Sequence, residues 1–289
     1  MEISYDGSQF VAKRDGVVVA SSKNRDYLKR KIAGMADVIS SEKARAVEEF
    51  AINDRFMFTD QLVKMVAKGE TASCVITGEG GLGKSYTVMK ALRDAGLKDI
   101  SELPIGEVIP PRGCFRVVKG FSTAKGLYQM LFENQNSILV FDDCDSILKD
   151  ADALNLLKGA LDSYDKRYIS WNTSIQDDGL PRSFEFKGGV VFVSNLSQDK
   201  ISQAIRSRAM NVDLSMTTEQ KIERMETIMQ SDDFMPSVPL SYKRDALSTI
   251  RENSEIASEI SLRTLINVTK IRNSGNANWK ALAKYMLVN

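Results

Sequence analysis

Short apolar runs alternate with helical segments from residue 71 to residue 216. The apolar runs are bounded by polar residues and predict buried strands, which are Ser73–Thr77, Cys114–Val118, Ser137–Phe141, Val190–Ser194 and Met210–Leu214. Segments with apolar residues three and four positions apart predict the helices between them, which are Ser85–Ala95, Thr123–Glu133, Ala151–Asp165 and Gln198–Ser207. Alternation of strands and helices is typical of a parallel sheet with crossover helices. The predicted fold class is therefore α/β, with helix, sheet and helix in three layers.

The two ends of the chain have different patterns. Residues 2–20 alternate apolar and polar positions around Lys13-Arg14-Asp15-Gly16, which predicts a β-hairpin with an Asp-Gly turn. Charged helical stretches follow at about 22–35 and 41–50. Beyond Met216 the pattern predicts only helices, which are Thr218–Met229, Ser241–Arg251, Leu262–Ile271 and Trp279–Leu287. We predict an N-terminal element over 1–50, an α/β domain over 51–216 and a helical domain over 217–289.

A glycine-rich segment follows the first buried strand of the α/β region. Gly78-Glu79-Gly80-Gly81-Leu82-Gly83-Lys84-Ser85 fits the P-loop pattern G-x-x-x-x-G-K-[ST], and a predicted helix begins directly after it with Tyr86. Glycines allow backbone N–H groups to surround phosphate oxygens at the helix N-terminus. Residues 78–86 are thus predicted to bind a nucleoside triphosphate, with Lys84 at the β- and γ-phosphates and Ser85 on Mg²⁺. The alternative is a glycine-rich turn without a ligand.

A second acidic motif ends another predicted strand. The run Ser137–Phe141 is followed by Asp142 and Asp143. We expect this strand to lie beside the P-loop strand, so that its end faces the phosphates. Asp142 would then hold Mg²⁺ together with Ser85, and Asp143 would polarise the attacking water. The alternative is an acidic strand end that caps the next turn.

Composition limits the chemistry open to this site. The chain has 289 residues, a net charge of +1 and no histidine, so any reaction must use carboxylates, Lys, Arg and a bound metal. The three cysteines fall in or beside predicted strands, which favours buried thiols in a reducing cytoplasm. No apolar run is long enough to cross a membrane, and residues 1–20 do not resemble a signal peptide. We expect a cytoplasmic protein without a membrane partner.

Together these motifs resemble the AAA+ ATPases, whose Walker A and Walker B segments match 78–85 and 137–143. The resemblance extends over about 55–289. Val190–Asn195 is similar to the sensor-1 strand, which implies that Asn195 lies near the γ-phosphate. Arg206 and Arg208 are similar in position to the arginine finger, and Arg263 to the sensor-2 arginine of the helical lid domain. Asp142-Asp143-Cys144-Asp145 is similar to a segment in phage-encoded members of the family, which implies a phage protein in the host cytoplasm.

The resemblance implies a homo-oligomer that hydrolyses ATP with Mg²⁺ at subunit interfaces. A ring, with a hexamer as the expected size, would supply Arg208 in trans. Local alternatives stay open: Asn195 could cap the following helix, Arg206 and Arg208 could be solvated charges, and Arg263 could pair with Glu259. The family usually has Asp-Glu where this chain has Asp142-Asp143. A carboxylate that is one methylene shorter implies slow hydrolysis, closure of the site or a contribution from Asp145.

The substrate is less defined by the sequence. Phe121 follows the second strand, where ring-forming members of the family grip a threaded polypeptide, although it could equally be a core residue. Residues 167–187 predict a hairpin whose Tyr168 and Trp171 could stack on single-stranded nucleic acid or pack onto the domain. We expect a macromolecular substrate, a protein complex before DNA. The alternatives are a nucleic-acid ATPase such as a helicase loader, and an ATP-controlled scaffold with little turnover.

Overall fold

The computed structural model describes residues 2–14, 17–26, 28–29, 31–32, 50–103, 113–120, 123–162, 164–171 and 179–289. The chain forms two compact units, Met1–Ala51 and Ile52–Asn289. The three-part division predicted from the sequence stays a prediction. Within the described residues, no helix is long and apolar enough to cross a membrane.

The N-terminal unit contains a three-stranded antiparallel sheet in the order β1-β2-β3. Its strands are β1 (Glu2–Tyr5), β2 (Phe10–Arg14) and β3 (Val17–Ser22). The predicted hairpin is β2–β3, and β1 is a further strand that pairs with β2. Ala12, Ala20 and Leu28 form its small apolar core. The Asp15-Gly16 turn and most of the predicted 41–50 helix lie outside the described residues.

The second unit is built on a six-stranded parallel sheet in the order β11-β4-β10-β7-β6-β5. The strands are β4 (Ser73–Thr77), β5 (Lys98–Asp99), β6 (Cys114–Lys119), β7 (Ile138–Asp142), β10 (Gly189–Val193) and β11 (Met210–Asp213). Apolar clusters on both sides of the sheet bury β4, β7 and β10. The predicted three-layer α/β class is confirmed.

One neighbour relation predicted from the sequence is wrong. The acidic strand β7 does not lie beside the P-loop strand β4, because β10 lies between them and pairs with both. All five residues of β10 are buried, and the same holds for β4 and β7, so burial places these three strands at the centre of the sheet without fixing their order. Val193 at its end is in register with Ile76 of β4 and Asp142 of β7. The carboxyl ends of the three strands therefore still meet at one edge.

The helices of the second unit cover the sheet and then form a separate cluster. They are α1 (Ile52–Lys68), α2 (Lys84–Asp94), α3 (Ala124–Glu133), α4 (Ala151–Ala160), α5 (Gln203–Arg206), α6 (Thr218–Met229), α7 (Leu240–Glu252), α8 (Leu262–Asn273) and α9 (Trp279–Val288). Helices α6–α9 share their own apolar core. The C-terminal helical region predicted from the sequence is confirmed.

Three helical segments differ from the prediction. Helix α1 was not predicted, although Ile52, Phe56, Val63 and Val66 bury one face of it. Helix α4 ends at Ala160 and not at 165, because the Arg167 guanidinium donates a hydrogen bond to the Ala160 carbonyl at 2.6 Å and the chain then turns into a strand. The segment 198–207 breaks into a 3-10 turn at Gln198–Lys200 and the short α5.

The predicted insertion before β10 is a two-stranded antiparallel hairpin, β8 (Tyr168–Ser170) and β9 (Ser183–Glu185). Trp171 packs against Tyr128 of α3, with ring centroids 6.1 Å apart. Tyr168 points the other way and is 59% exposed, opposite Glu185 in the register. The structure therefore separates the two aromatic residues that the sequence offered as one stacking surface.

Gly188, which leads into β10, leaves no room for a side chain. A Cβ there would lie 2.1 Å from the Ser137 carbonyl oxygen and 3.0 Å from the Phe186 ring. We expect Gly188→Ala to destabilise the protein by about 3 kcal/mol, because the backbone must shift. Thermal unfolding should show a lowered midpoint for Gly188→Ala. Gly179→Ala is the control, since no atom of the described residues lies within 4 Å of its Cβ position, and equal midpoints for the two variants would contradict the expectation.

Candidate nucleotide-binding site

The P-loop connects the end of β4 to the start of α2. Gly83 is the N-terminal cap of α2 and has a φ of 89°, which is left-handed and favours glycine. Gly78 has a φ of 132°, and a Cβ on it would lie 2.8 Å from the Leu214 carbonyl carbon. Conformation therefore favours glycine at both positions, and space also requires it at Gly78. Leu82 turns its side chain into the core and is 3% exposed.

Lys84 is buried and is held by oxygen atoms at the mouth of the loop. Its ammonium donates hydrogen bonds to the carbonyls of Gly78 at 2.7 Å and Glu79 at 2.6 Å, and to Asn195 Oδ1 at 2.9 Å. Burial lowers the pKa of Lys84, while the charges of Asp143 and Asp142 oppose that shift. A positive charge is thus fixed inside the loop.

Ser85 and Asp142 are in direct contact. The Ser85 hydroxyl donates a hydrogen bond to Asp142 Oδ1 at 2.6 Å. Asp142 is the last residue of β7 and is 3% exposed. The sequence predicted that these two side chains share a metal site, and the structure brings them together.

Asp143 and Asn195 form a second polar pair beside the first. Asn195 Nδ2 donates to Asp143 Oδ1 at 2.6 Å, while its Oδ1 accepts from Lys84. Asp143 has a φ of 58°, an uncommon conformation for a residue other than glycine. The neighbouring helical segments begin with Ser197 and Ser202, so capping is not the role of Asn195. The nearby Asp145 does not join this pair, and its Oδ1 accepts a hydrogen bond from the Ser194 hydroxyl at 2.6 Å.

A cavity of about 720 Å³ opens over these residues. Among the predicted residues, its lining includes Gly80, Gly81, Gly83, Lys84, Ser85, Tyr86, Asp143, Asn195 and Arg263. Gly78, Glu79, Leu82 and Asp142 are not part of this lining. The cavity therefore combines the P-loop, the ends of β7 and β10, and the C-terminal helices.

One part of the cavity is formed by residues that sequence reasoning missed. Helix α1 contributes Asn53, Phe56 and Met57, and α6 contributes Arg224 and Ile228. The Arg224 guanidinium lies 3.9 Å from the centroid of the Phe56 ring and donates to Asn53 Oδ1 at 2.9 Å. Burial lowers the pKa of Arg224 to about 10, which leaves it charged at neutral pH. Its Nε–H is buried without an acceptor among the described residues. The apolar spacing of α1 was the signal for this wall.

The C-terminal helices contact the P-loop directly. The Leu262 N–H donates to the Gly81 carbonyl at 2.8 Å, and a Cβ on Gly81 would lie 3.0 Å from Ser261 Cβ. Lys221 of α6 forms an ion pair with Glu79. Tyr86 donates to Asp233 Oδ2 at 3.2 Å. The P-loop is therefore linked to the C-terminal region by direct polar contacts.

The three arginines suggested by the resemblance occupy two places. Arg263 lines the cavity, is exposed and makes no ion pair with Glu259 in the described structure. Arg206 and Arg208 lie at the end of α5, outside the cavity lining. Arg208 is exposed and donates to the Ala204 carbonyl at 3.0 Å, whereas the half-buried Arg206 has an Nε without an acceptor among the described residues. Neither arginine can serve the cavity of its own chain in this arrangement.

The polar pair at Ser85 suits a hard divalent cation. A hydroxyl and a buried carboxylate are oxygen ligands of the kind that Mg²⁺ prefers. No group of three or more metal-ligating side chains occurs in the part of the chain that the structure describes. Mg²⁺ commonly binds proteins through one or two carboxylates and completes its shell with waters and substrate phosphates. Ser85 and Asp142 fit that mode.

A comparison with known proteins finds a relative in sequence. An enterobacteria phage T4 protein, named as an uncharacterized 36.7 kDa protein in the nrdC–mobD intergenic region, is 32% identical over 301 residues. The match covers 96% of this chain and 86% of the T4 protein. The chain belongs to the family of this T4 protein. A phage relative fits the phage-encoded origin expected from the Asp142–Asp145 segment. No protein-family model matches the sequence.

A solved structure shows a distant likeness. A proline-to-glycine mutant of Thermotoga maritima RuvB matches with 14% identity and a TM-score of 0.48, over 83% of this chain and 72% of that chain. At this identity and score the likeness does not bear on function. The function of this chain must therefore be inferred from its own residues at the cavity.

Proposed function

We propose that this chain is an AAA+ ATPase that binds ATP with Mg²⁺ in the cavity and hydrolyses it. The observation that carries the proposal is the convergence of three polar groupings at one strand edge. These are the buried Lys84, the Ser85–Asp142 pair and the Asp143–Asn195 pair. A direct test is release of inorganic phosphate from ATP, measured with the purified full chain.

Each grouping has a task in binding the triphosphate. The glycine loop and the start of α2 offer N–H groups to phosphate oxygens, and Lys84 offers an ammonium. Ser85 and Asp142 would hold Mg²⁺. When bound, the cation neutralises charge that develops on the phosphate oxygens. The base would occupy the part of the cavity between α1 and α6, where Phe56, Met57 and Arg224 provide apolar and stacking surface.

Asp143 and Asn195 would act on the attacking water. A carboxylate accepts a hydrogen bond from that water and orients it toward the γ-phosphorus. The Asn195 amide fixes the Asp143 carboxylate through the 2.6 Å hydrogen bond and also touches Lys84. One side chain thereby ties the water-orienting group to the phosphate-binding lysine. Arg263 would report the nucleotide from the C-terminal helices.

We further propose a homo-oligomeric ring, with a hexamer expected, in which Arg208 completes the site of the neighbouring subunit. Support comes from the position of Arg208, which is exposed and outside the cavity of its own chain. An arginine supplied in trans stabilises charge in the transition state of phosphoryl transfer. Arg206 is the second candidate, because its buried Nε has no acceptor in the described structure.

Mixing two inactive variants tests the role of Arg208. Arg208→Ala subunits keep the P-loop, and Lys84→Ala subunits keep Arg208, so mixed oligomers regain sites with both groups. We expect an equimolar mixture to recover about a quarter of the wild-type phosphate release, the share of complete interfaces under random assembly.

The control mixture replaces Lys84→Ala by the double variant Lys84→Ala/Arg208→Ala, which cannot supply the arginine. Recovery in the test mixture alone supports action in trans. Absence of recovery at every ratio, with oligomer mass confirmed by light scattering, would contradict it.

For the substrate we propose a protein complex. Support is the net charge of +1, which provides no global attraction for nucleic acid. The inward packing of Trp171 also removes half of the aromatic surface that favoured single strands. Phe121, the candidate contact for a polypeptide, lies outside the described residues. Measuring phosphate release with and without single-stranded DNA discriminates a protein substrate from a nucleic-acid substrate. Strong stimulation by DNA would overturn the proposal of a protein substrate.

A further inference from the structure

Lys119 forms an ion pair with Oδ2 of Asp142, the carboxylate oxygen that Ser85 does not contact. It is the last residue of β6 and is in register with Asp142 on the adjacent parallel strand. Its Nζ lies 3.4 Å from Asp142 Oδ2, while the Ser85 hydroxyl donates to Oδ1. The Asp142 side chain is 5% exposed and the Lys119 side chain is 68% exposed. A buried anion is therefore paired with a cation that reaches in from solvent.

The pairing has a clear electrostatic reason. An ionised carboxylate withdrawn from water is costly unless a positive charge compensates it. Lys84 does not do this through contact, since its ammonium is hydrogen-bonded to Gly78, Glu79 and Asn195. In the described structure Lys119 is the ion-pair partner of Asp142.

We propose that Lys119 is a placeholder cation that sets the Mg²⁺ affinity of the site. This inference rests on the proposed role of Asp142 at the metal. An ammonium and Mg²⁺ compete for the same carboxylate, and two cations near one oxygen repel each other. The long exposed stem of Lys119 allows its ammonium to withdraw into solvent without a backbone movement. Lys119 acts through Asp142 and is a positioning residue, not a catalytic one.

Removing the charge should strengthen Mg²⁺ binding. With water-like screening of an exposed ammonium near a divalent ion, the expected gain in Mg²⁺ affinity is about fivefold to tenfold. Lys119→Arg keeps the charge and should behave like the wild type. Lys119→Gln removes the charge and keeps much of the stem.

The experiment measures nucleotide binding without turnover. A fluorescent ADP analogue is bound to the protein. Free Mg²⁺ is then titrated until the affinity of the protein for the analogue no longer changes. For Lys119→Gln the Mg²⁺ concentration at the midpoint of this titration should fall about fivefold to tenfold. For Lys119→Arg it should match that of the wild type. Lys187→Gln is the matched control, because Lys187 is also an exposed lysine paired with a carboxylate, Glu185 at 3.1 Å, outside the cavity lining.

The outcomes separate this inference from the proposed function. A midpoint for Lys119→Gln that is equal to or higher than that of the wild type overturns the placeholder role, while Mg²⁺ dependence in the wild type upholds the site. Absence of nucleotide binding, or of any Mg²⁺ effect in every variant, overturns the proposed function itself. A fall that Lys187→Gln reproduces would indicate a general charge effect and would also reject the placeholder role.

Discussion

Replacing Lys84 by alanine should reduce phosphate release from ATP by about a hundredfold or more, the usual cost of removing a preorganised charge from a transition state. Lys84 is the buried cation of the P-loop, and its three oxygen partners fix it at the mouth of the loop. Without it, the part of the chain that the structure describes has no other buried ammonium at the proposed position of the β- and γ-phosphates. Nucleotide affinity should fall as well, since the same charge contributes to ground-state binding.

The matched control is Lys90→Ala on the same helix. Lys90 also contacts the cavity but pairs with Asp94 at 3.1 Å on an exposed face. We expect Lys90→Ala to change the rate less than about threefold, because exposed ion pairs contribute little. Thermal unfolding should verify that both variants fold. Turnover by Lys84→Ala within about tenfold of the wild-type rate would show that the proposed site is wrong.

Asp143→Asn should lose turnover and keep nucleotide binding. The carboxylate is the proposed water-orienting group, and a general base typically contributes a rate factor of about 10² to 10⁴. The amide still fits beside Asn195 but cannot accept a proton. The expected result is phosphate release lowered by at least about a hundredfold, with the affinity for the fluorescent ADP analogue within about threefold of wild type.

Two further substitutions make that result specific. Asp145→Asn tests the neighbouring carboxylate, which the Ser194 hydroxyl already engages at 2.6 Å, and we expect most activity to remain. Asp143→Glu keeps the charge with a longer reach and should retain measurable turnover where Asp143→Asn does not. If Asp145→Asn is the inactive variant and Asp143→Asn is active, the assignment of the two carboxylates is reversed.

Local patterns were sufficient for much of the fold. The strands at 73–77 and 138–142 are fully buried and the strand at 114–119 is partly buried, and the mainly apolar residues of each run alone predict them. The P-loop motif likewise predicts its own turn, because left-handed glycines such as Gly83 are a property of the local chain. Helix α1 was missed although its apolar spacing is regular, and with it the wall of the cavity formed by Asn53, Phe56 and Met57.

The sequence by itself determined which residue types could meet a triphosphate: a P-loop with Lys84 and Ser85, and a strand that ends in Asp142 and Asp143. Only the tertiary structure decided their partners. In the structure β10 lies between β4 and β7, Asp142 forms an ion pair with Lys119, and the Arg224 guanidinium packs on the Phe56 ring. The physical reason is that strand order and side-chain contacts depend on burial and charge pairing between segments distant in the chain, whereas a motif depends on neighbours within a few residues.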